Sequence, residues 1–589
     1  MRVPRVQIAA LCHIMITLGA ACVAHAAPLP GPCGQIAAAC QQAGFRQGAA
    51  RTGEGLQVDC LRPIMQGLPQ RRAGKPLPQI NPQLVAACKS RNSLFGQPNA
   101  SPDQAVEPSF PPVRADTNPA ALAPPPALPA GARRPNIVFV LADDFSMDLV
   151  QYMPHVLKMQ KDGVTFANYF VTDSLCCPSR SSIFTGRYPH DTGIYRNVGP
   201  DGGYLAFVNR GHEDATLATS LAAAGYRTAM LGKYLNGYQP RQHRAAPGWN
   251  EWDVAGNGYG NFNYDLNQTG KIVHYGRQPG DYLTDVSAQA ISFIKQTSGA
   301  PFMVEIATFA PHAPYIPAPR DANAFPGLRA PRSPAFNAGP DADTPKWLAA
   351  LPPLTDADAA KIDADYRKRA QSVLAIDAMI FALQTAVAEI GAADNTYFVF
   401  SSDNGYHMGE HRMMPGKMTA YDTDIHVPLI VTGPSVPAGR IVEDIVQNID
   451  LCPTFTGLGF AAAPPHVDGR SLAPLLRGEK VDVWRTLALV EHRGPVRGVT
   501  DPDLPGIRSG NPTTYEAIRM PTSLYVEYAD GEKEYHDLVA DPYELHNTFA
   551  ALPADRKAAL HTVVEAVKRC HDADGCRPAE HTERSAMRD

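Results

Sequence analysis

Several features are missing or scarce in this 589-residue sequence. There is no surplus of positive charge: the formal net charge is −5, which gives no basic field and excludes nucleic acid as the main partner. No internal repeat is evident, which excludes a solenoid or propeller array. The apolar run near the N-terminus gives out at about Val23, too short and too early for a stable membrane span. None of the eleven cysteines falls into a spacing that reads as a zinc site. What is present is 44% apolar content over a length that exceeds one ordinary domain, enough for sizeable cores.

The first residues set the compartment. Met1-Arg2-Val3-Pro4-Arg5 is a basic leader, an apolar run follows, and Ala24-His25-Ala26 offers a small-residue cleavage site. Residues 1–26 therefore read as a signal peptide, and the product as periplasmic or secreted. A lipoprotein cleaved before Cys22 is the rival, but Gly19 stands where a lipobox needs a larger aliphatic. Cys12 and Cys22 leave with the leader. In an exported chain Cys33, Cys40, Cys60 and Cys88 read as one disulfide group, of open connectivity, and Cys570 with Cys576 as another. Cys452 is left over as a small buried hydrophobe.

The chain divides by texture. Residues 27–95 read as a cysteine-rich helical module, with helices predicted over Gln35–Ala43 and Pro82–Ser90. Residues 96–134 are a Pro/Ala-rich linker around Pro124-Pro125-Pro126, extended and without the apolar surface for a core. Residues 135–465 alternate apolar strands with helical segments. That pattern predicts an α/β fold, a large mixed and mostly parallel sheet flanked by helices. Residues 466–589 form a smaller α+β subdomain, with strands near Tyr525–Tyr528 and Tyr535–Leu538 and a helix over Ala554–Cys570.

Four apolar strands carry polar groups where they end. Asn136–Ala142 runs into Asp143-Asp144, Tyr226–Leu231 into Gly232-Lys233, Phe302–Ala310 into Pro311-His312, and Thr396–Ser402 into Asp403-Asn404. Ligands sit at the carboxyl ends of strands in open α/β sheets, so these groups are expected to converge. Taken singly each has a plainer reading: adjacent aspartates cap helices, a lone lysine is solvated, and a loop histidine is structural.

The remaining motif is Leu175-Cys176-Cys177-Pro178-Ser179-Arg180, followed by Phe184-Thr185-Gly186. It places a thiol just ahead of a short helix, with Pro178 in the first turn and Gly186 as the stop. A helix N-terminus favours a thiolate or an oxyanion, and Arg180 adds a fork-shaped cation one turn on. The plainer reading is a buried cysteine with Cys177 as its disulfide partner.

The run C-x-P-S-R-x-x-x-F-T-G from Cys176 to Gly186 resembles the sulfatase signature, and the resemblance extends over roughly Asn136 to Cys576. It implies an alkaline-phosphatase-like fold and conversion of Cys176 to formylglycine by a formylglycine-generating enzyme. It also implies a divalent metal, usually calcium, on Asp143, Asp144, Asp403 and Asn404 together with the converted Cys176. By the same resemblance Lys233, Lys417 and His312 bind sulfate, while Cys176, Arg180, His312 and His407 are the catalytic set. One hydroxyl of the hydrated aldehyde then attacks sulfur, with Asp403 a candidate base and His312 protonating the departing alcohol. Gly232-Lys233-Tyr234-Leu235-Asn236 departs from the common sulfatase form, which has a histidine where Leu235 stands, and is similar to the N-acetylglucosamine-6-sulfatase and heparan sulfatase branch. Pro247 to Trp252, Tyr282 to Asp285 and Tyr315 to Arg320 resemble that branch too, with Trp249 and Trp252 as either subdomain core or a sugar platform. The implied substrate is a sulfated sugar such as 6-O-sulfated glucosamine, or another sulfated small molecule or glycan. A phosphonate monoester or phosphodiester hydrolase shares the fold and the formylglycine motif and is the alternative. A non-enzymatic exported binding protein is the other.

Overall fold

The structure, a computed structural model, describes residues 32–46, 56–66, 75–81, 84, 85, 88, 124–129 and 131–581, apart from 298, 496–500, 502–505 and 507. The signal-peptide reading and most of the linker lie outside these residues. The described linker positions carry neither helix nor strand. The chain forms two compact units, Met1–Phe110 and Pro111–Asp589.

In the first unit a helix spans Pro32–Gln42, and a π-helical turn at Leu56–Leu61 continues into Arg62–Gln66. The helix begins three residues before the expected Gln35, because Pro32 suits a first helical turn where no N–H is needed. Of the expected Pro82–Ser90 helix only Leu84, Val85 and Cys88 are described, all helical. Disulfides join Cys33 to Cys88 and Cys40 to Cys60, and Ile36, Phe45, Leu61 and Met65 fill the small core around them.

The second unit is built on strands β1 (Asn136–Ala142), β2 (Val164–Phe170), β3 (Arg227–Lys233), β4 (Glu251–Ala255) and β5 (Tyr264–Gln268). They continue with β6 (Lys271–Tyr275), β7 (Phe302–Ala307), β8 (Thr396–Ser402), β9 (Leu429–Thr432) and β10 (Arg440–Gln447). Among the described residues these make one ten-stranded sheet in the order β10-β2-β9-β8-β1-β7-β3-β4-β5-β6. Only β5 and β9 run against the rest. β1 reads as an unbroken apolar run because both its faces are covered: Ile137, Phe139 and Leu141 join one core, Val138, Val140 and Ala142 the other. The central register sets Ala142 against Ser402 and Leu141 against Ala307, and Gly232 of β3 beside Ala307. The ends of β1, β3, β7 and β8 are therefore neighbours.

Two strand boundaries differ from expectation. β3 runs to Lys233, so the lysine is its last residue and not the residue beyond it. β7 stops at Ala307, although Thr308 N–H still bonds Leu141 O at 2.9 Å before the prolines around His312 end the ladder. The 34-residue helix Asp356–Glu389 is long and apolar enough to cross a membrane by length and composition alone. It is instead a core helix: Ile362, Ile376, Leu383 and Val387 are buried against the sheet.

The C-terminal sheet is antiparallel, β11 (Ala488–His492), β12 (Tyr515–Met520), β13 (Ser523–Tyr528) and β14 (Lys533–Asp537) in sequential order. The helix Ala554–Val567 covers it, burying Leu560, Val563, Val564 and Val567, the i, i+3, i+4, i+7 spacing of one face. It ends three residues short of the expected Cys570, which instead forms a disulfide with Cys576. Trp252 is core, fully buried with its indole N–H on Tyr238 Oη at 2.8 Å, and is no sugar platform.

Candidate active site

The helix Cys176–Thr185 starts on Cys176 itself, so the thiol occupies the first helical position and not a residue ahead of it. Gly186 closes the helix in the left-handed region (φ 72°), its N–H on Ser182 O at 2.8 Å. All ten helical residues are buried. Ser179 Oγ donates to Asp403 O and accepts from Asn448 Nδ2, which ties the helix to the end of β8. Cys176, Cys177 and Cys452 are free among the described residues, so no disulfide joins the adjacent pair.

Around the thiol the strand ends converge. Lys417 Nζ lies 2.8 Å from Cys176 Sγ and 2.6 Å from Asp144 Oδ1. Cys176 Sγ is 3.5 Å from Asp143 Oδ1, and Lys233 Nζ donates to Asp143 Oδ2 at 2.7 Å. Gly232 brings Lys233 there: at φ 92° its backbone passes so close to β7 that a Cβ would stand 2.0 Å from Ala307 O. Arg180 Nε donates to Asp403 Oδ2 at 2.9 Å and Nη1 to Lys233 O at 2.9 Å. Three carboxylates thus interleave with three basic side chains in a site closed to solvent.

His312 donates Nδ1–H to its neighbour's carbonyl, Ala313 O, at 2.7 Å, because a carbonyl only accepts. Its Nε2 faces Asp144 Oδ2, 3.4 Å away, so the ring lies between two acceptors and Nε2 is placed to carry a proton. His407, expected among the catalytic groups, sits elsewhere. Its Nδ1–H donates to Asp424 at 2.9 Å, and its backbone pairs with Gly416, the residue before Lys417. It buttresses the lysine loop from behind Lys417. Asp403 is likewise committed: Oδ1 accepts the N–H groups of Asp144 (3.1 Å) and Asn404 (2.8 Å), and Oδ2 holds Arg180.

The electrostatics separate these carboxyls. Burial would raise Asp403, but Arg180, then Lys233 and Lys417, overcome it and hold the group down at about 2, too acidic for a good general base. Asp143 goes the other way: burial, only partly offset by Lys233, pushes it up to about 6. Burial also drives the Cys176 thiol well above the ordinary range, against the pull of Lys233 and Lys417. A thiol so held is a poor nucleophile as it stands.

Asp143, Asp144, Cys176 and His312 place their ligating atoms within 4.8 Å of one another. Two further observations fit a hard cation: Asn404 Oδ1 and Asp144 Oδ2 are buried and accept no hydrogen bond. Oxygen-rich, carboxylate-dominated donors suit calcium or magnesium better than a soft metal.

Arg369 was not visible in the sequence as a site residue. Fully buried on the long helix, it donates to Asp144 O at 2.6 Å and Ser146 Oγ at 2.8 Å, and so fixes Asp144 in its left-handed conformation (φ 59°). Tyr259 was also missed. Its ring lies 5.0 Å from Lys233 Nζ and 4.8 Å from the His312 ring, and only the fold brings the three together.

A large mixed sheet flanked by helices, with charged groups gathered at the strand ends, is the architecture of alkaline-phosphatase-like hydrolases. The sulfatase family model matches residues 135–459, and an N-sulphoglucosamine sulphohydrolase C-terminal model matches residues 409–569. The chain is 35% identical to N-acetylglucosamine-6-sulfatase of the goat, Capra hircus, over 71% of this chain and 80% of that one. It superposes on a structure solved with its substrate D-glucosamine-2-N,6-O-disulfate (TM-score 0.58, 23% identity), covering 78% of this chain and 100% of the other. Phosphonate monoester hydrolase of Agrobacterium radiobacter superposes at TM-score 0.55 and 23% identity, covering 73% and 94%, which shows a shared fold. The chain belongs to the sulfatase family. It is a sulfuric ester hydrolase, and the reading as a non-enzymatic binding protein falls away.

Proposed function

We propose that this protein removes 6-O-sulfate from glucosamine-type residues of sulfated glycans, after export and after conversion of Cys176 to formylglycine by a formylglycine-generating enzyme. The observation that carries the reading is the burial of Cys176 at a helix N-terminus among Lys417, Asp143 and Asp144, in a chain 35% identical to an N-acetylglucosamine-6-sulfatase. The intact disulfides, Cys33–Cys88, Cys40–Cys60 and Cys570–Cys576, suit the periplasm or the exterior. Residues 1–26 are the proposed leader, 27–95 an accessory module, 96–134 a linker, 135–465 the catalytic domain and 466–589 its C-terminal subdomain.

Each chemical role follows from position. Asp143, Asp144 and the unpaired amide oxygen of Asn404 would hold a divalent cation, calcium by preference, with the Cys176-derived group beside them. Asp403 would join them through Oδ2, which accepts only Arg180 Nε and keeps a lone pair, while its Oδ1 orients the Asp144 and Asn404 backbone. When bound, the cation supplies Lewis-acid polarisation of a sulfate oxygen and neutralises charge. Formylglycine hydrate supplies two hydroxyls on one carbon, one to attack and one to collapse back. Arg180, Lys233 and Lys417 stabilise the sulfate oxygens, and His312 Nε2 hands a proton to the departing alcohol. The three carboxylates already balance these three bases, so an added dication leaves the site net positive and matched to an anionic ester.

The test is a rate comparison on the purified, calcium-loaded protein: N-acetylglucosamine-6-sulfate against a phosphonate monoester and a phosphodiester. The expected result is a kcat/KM for the sulfate ester at least about 10²-fold above the others. The reverse order would replace this reading with the phosphonate hydrolase alternative.

A further inference from the structure

Away from the Cys176 cluster, the short helical turn Pro189–Thr192 carries His190 and Asp191 to the disulfide-closed segment that begins at Cys570. His571, next to that disulfide, meets Asp191 directly through Nδ1. The ligating atoms of His190, Asp191 and His571 all lie within 4.8 Å of one another. His190 Nδ1 is 2.8 Å from Glu491 Oε2, and its Nε2 is 2.8 Å from Cys570 O and 3.9 Å from Asp191 Oδ2.

Both ring nitrogens of His190 therefore face acceptors, an arrangement that requires a positive charge at Nε2. Behind Asp191 stands another carboxyl, Asp468, 1% exposed, whose Oδ2 takes the Tyr188 N–H at 2.7 Å and which also hydrogen-bonds the Asp191 side chain. Glu491 Oε1 is buried and unpartnered. The titratable and charged groups facing this spot are the carboxyls of Asp191, Asp468 and Glu491, the two imidazoles and, within electrostatic reach of Glu491, Arg493.

We propose that His190, Asp191 and His571, with the Cys570 carbonyl oxygen, form a second metal site, for a zinc-class dication. The Nε2 proton of His190 leaves to solvent and the metal takes its place on the lone pair. Asp191 then passes from the His571 N–H to the metal, and the His571 ring moves its proton from Nδ1 to the outward Nε2, which frees the Nδ1 lone pair for the metal. Glu491 remains on Nδ1–H, the carboxylate–histidine–metal relay that fixes ring orientation at such sites. Two imidazole nitrogens with one carboxylate select zinc over calcium, whose sites are all oxygen. The metal joins the catalytic unit to the C-terminal disulfide loop.

The test uses the full-length protein, stripped with chelator, loaded with excess calcium and equilibrated with about 10 μM zinc chloride alone, a concentration at which a specific site saturates and raises thermal stability. Bound zinc is counted by elemental mass spectrometry after gel filtration, and melting is followed with and without zinc. His571→Ala is the informative variant, because that side chain is 70% exposed and its loss leaves the packing intact. The expected result is one zinc equivalent and a zinc-dependent rise in Tm in the wild type, both lost in the variant, with zinc-free Tm and sulfatase activity unchanged. Equal zinc content and equal Tm response in the two proteins would overturn the proposal, as would a wild type that retains no zinc.

Discussion

Cys176→Ala abolishes sulfate-ester hydrolysis, lowering kcat/KM by on the order of 10⁵-fold, the scale on which a nucleophile's removal is felt. The fold tolerates the change, because the helix is anchored elsewhere, through Ser179 to Asp403 O and to Asn448 Nδ2. Unfolding midpoints of variant and wild type should therefore nearly coincide while activity disappears. A thiol has one nucleophilic atom and no second hydroxyl on the same carbon, so an unconverted Cys176 lacks the exit route that formylglycine hydrate possesses. The tryptic peptide spanning Cys176 in active protein should accordingly be lighter than the coded sequence by about 18 Da. Full activity in a preparation whose peptide carries only the thiol, or more than about 1% residual activity in the alanine variant, would remove Cys176 from the reaction.

Much of this arrangement can be read from the chain before it folds, and the reason is local. β1 is legible to the residue because both faces are buried, so an unbroken apolar run stops where Asp143 begins. Cys176 to Gly186 is legible because proline and glycine punctuate the helix on either side. What resisted reading depends on long-range pairing. Nothing in the sequence around Arg369 separates it from the other charged residues of its helix, yet it reaches across to Asp144. His407 stands two residues beyond Asn404-Gly405, which suggests a place in the site; the backbone bridge to Gly416 and the Asp424 contact put it behind Lys417 instead. The pairing Cys33–Cys88 and Cys40–Cys60 is one of several that spacing allows, and only the packed module selects it.

Glu305 is the sharpest such omission, and it carries the other large expected effect. It lies inside the apolar run of β7, paired in register with Phe139 of β1 and Met230 of β3. It is fully buried, and neither carboxyl oxygen has a hydrogen-bond partner. Burial, offset only in part by Arg180, pushes its carboxyl from 4.5 up to about 8. The folded protein thus keeps a proton that the unfolded chain releases. Between pH 4.5 and 8 each unit of pH lowers stability by about 1.4 kcal/mol; above 8 the loss is complete and constant. Glu305→Gln keeps the shape and removes the titration. At pH 5 the two proteins should be of nearly equal stability, and at pH 8.5 the variant should be the more stable by on the order of 4 kcal/mol. Denaturant unfolding at pH 5, 7 and 8.5 reads this directly as a gap that widens with pH. Parallel stability curves across that range would mean that Glu305 is ionised in the fold, held by Arg180 as a buried ion pair beneath the active site. Arg180 would then be anchored from below as well as by Asp403, and the variant should lose activity in place of gaining stability.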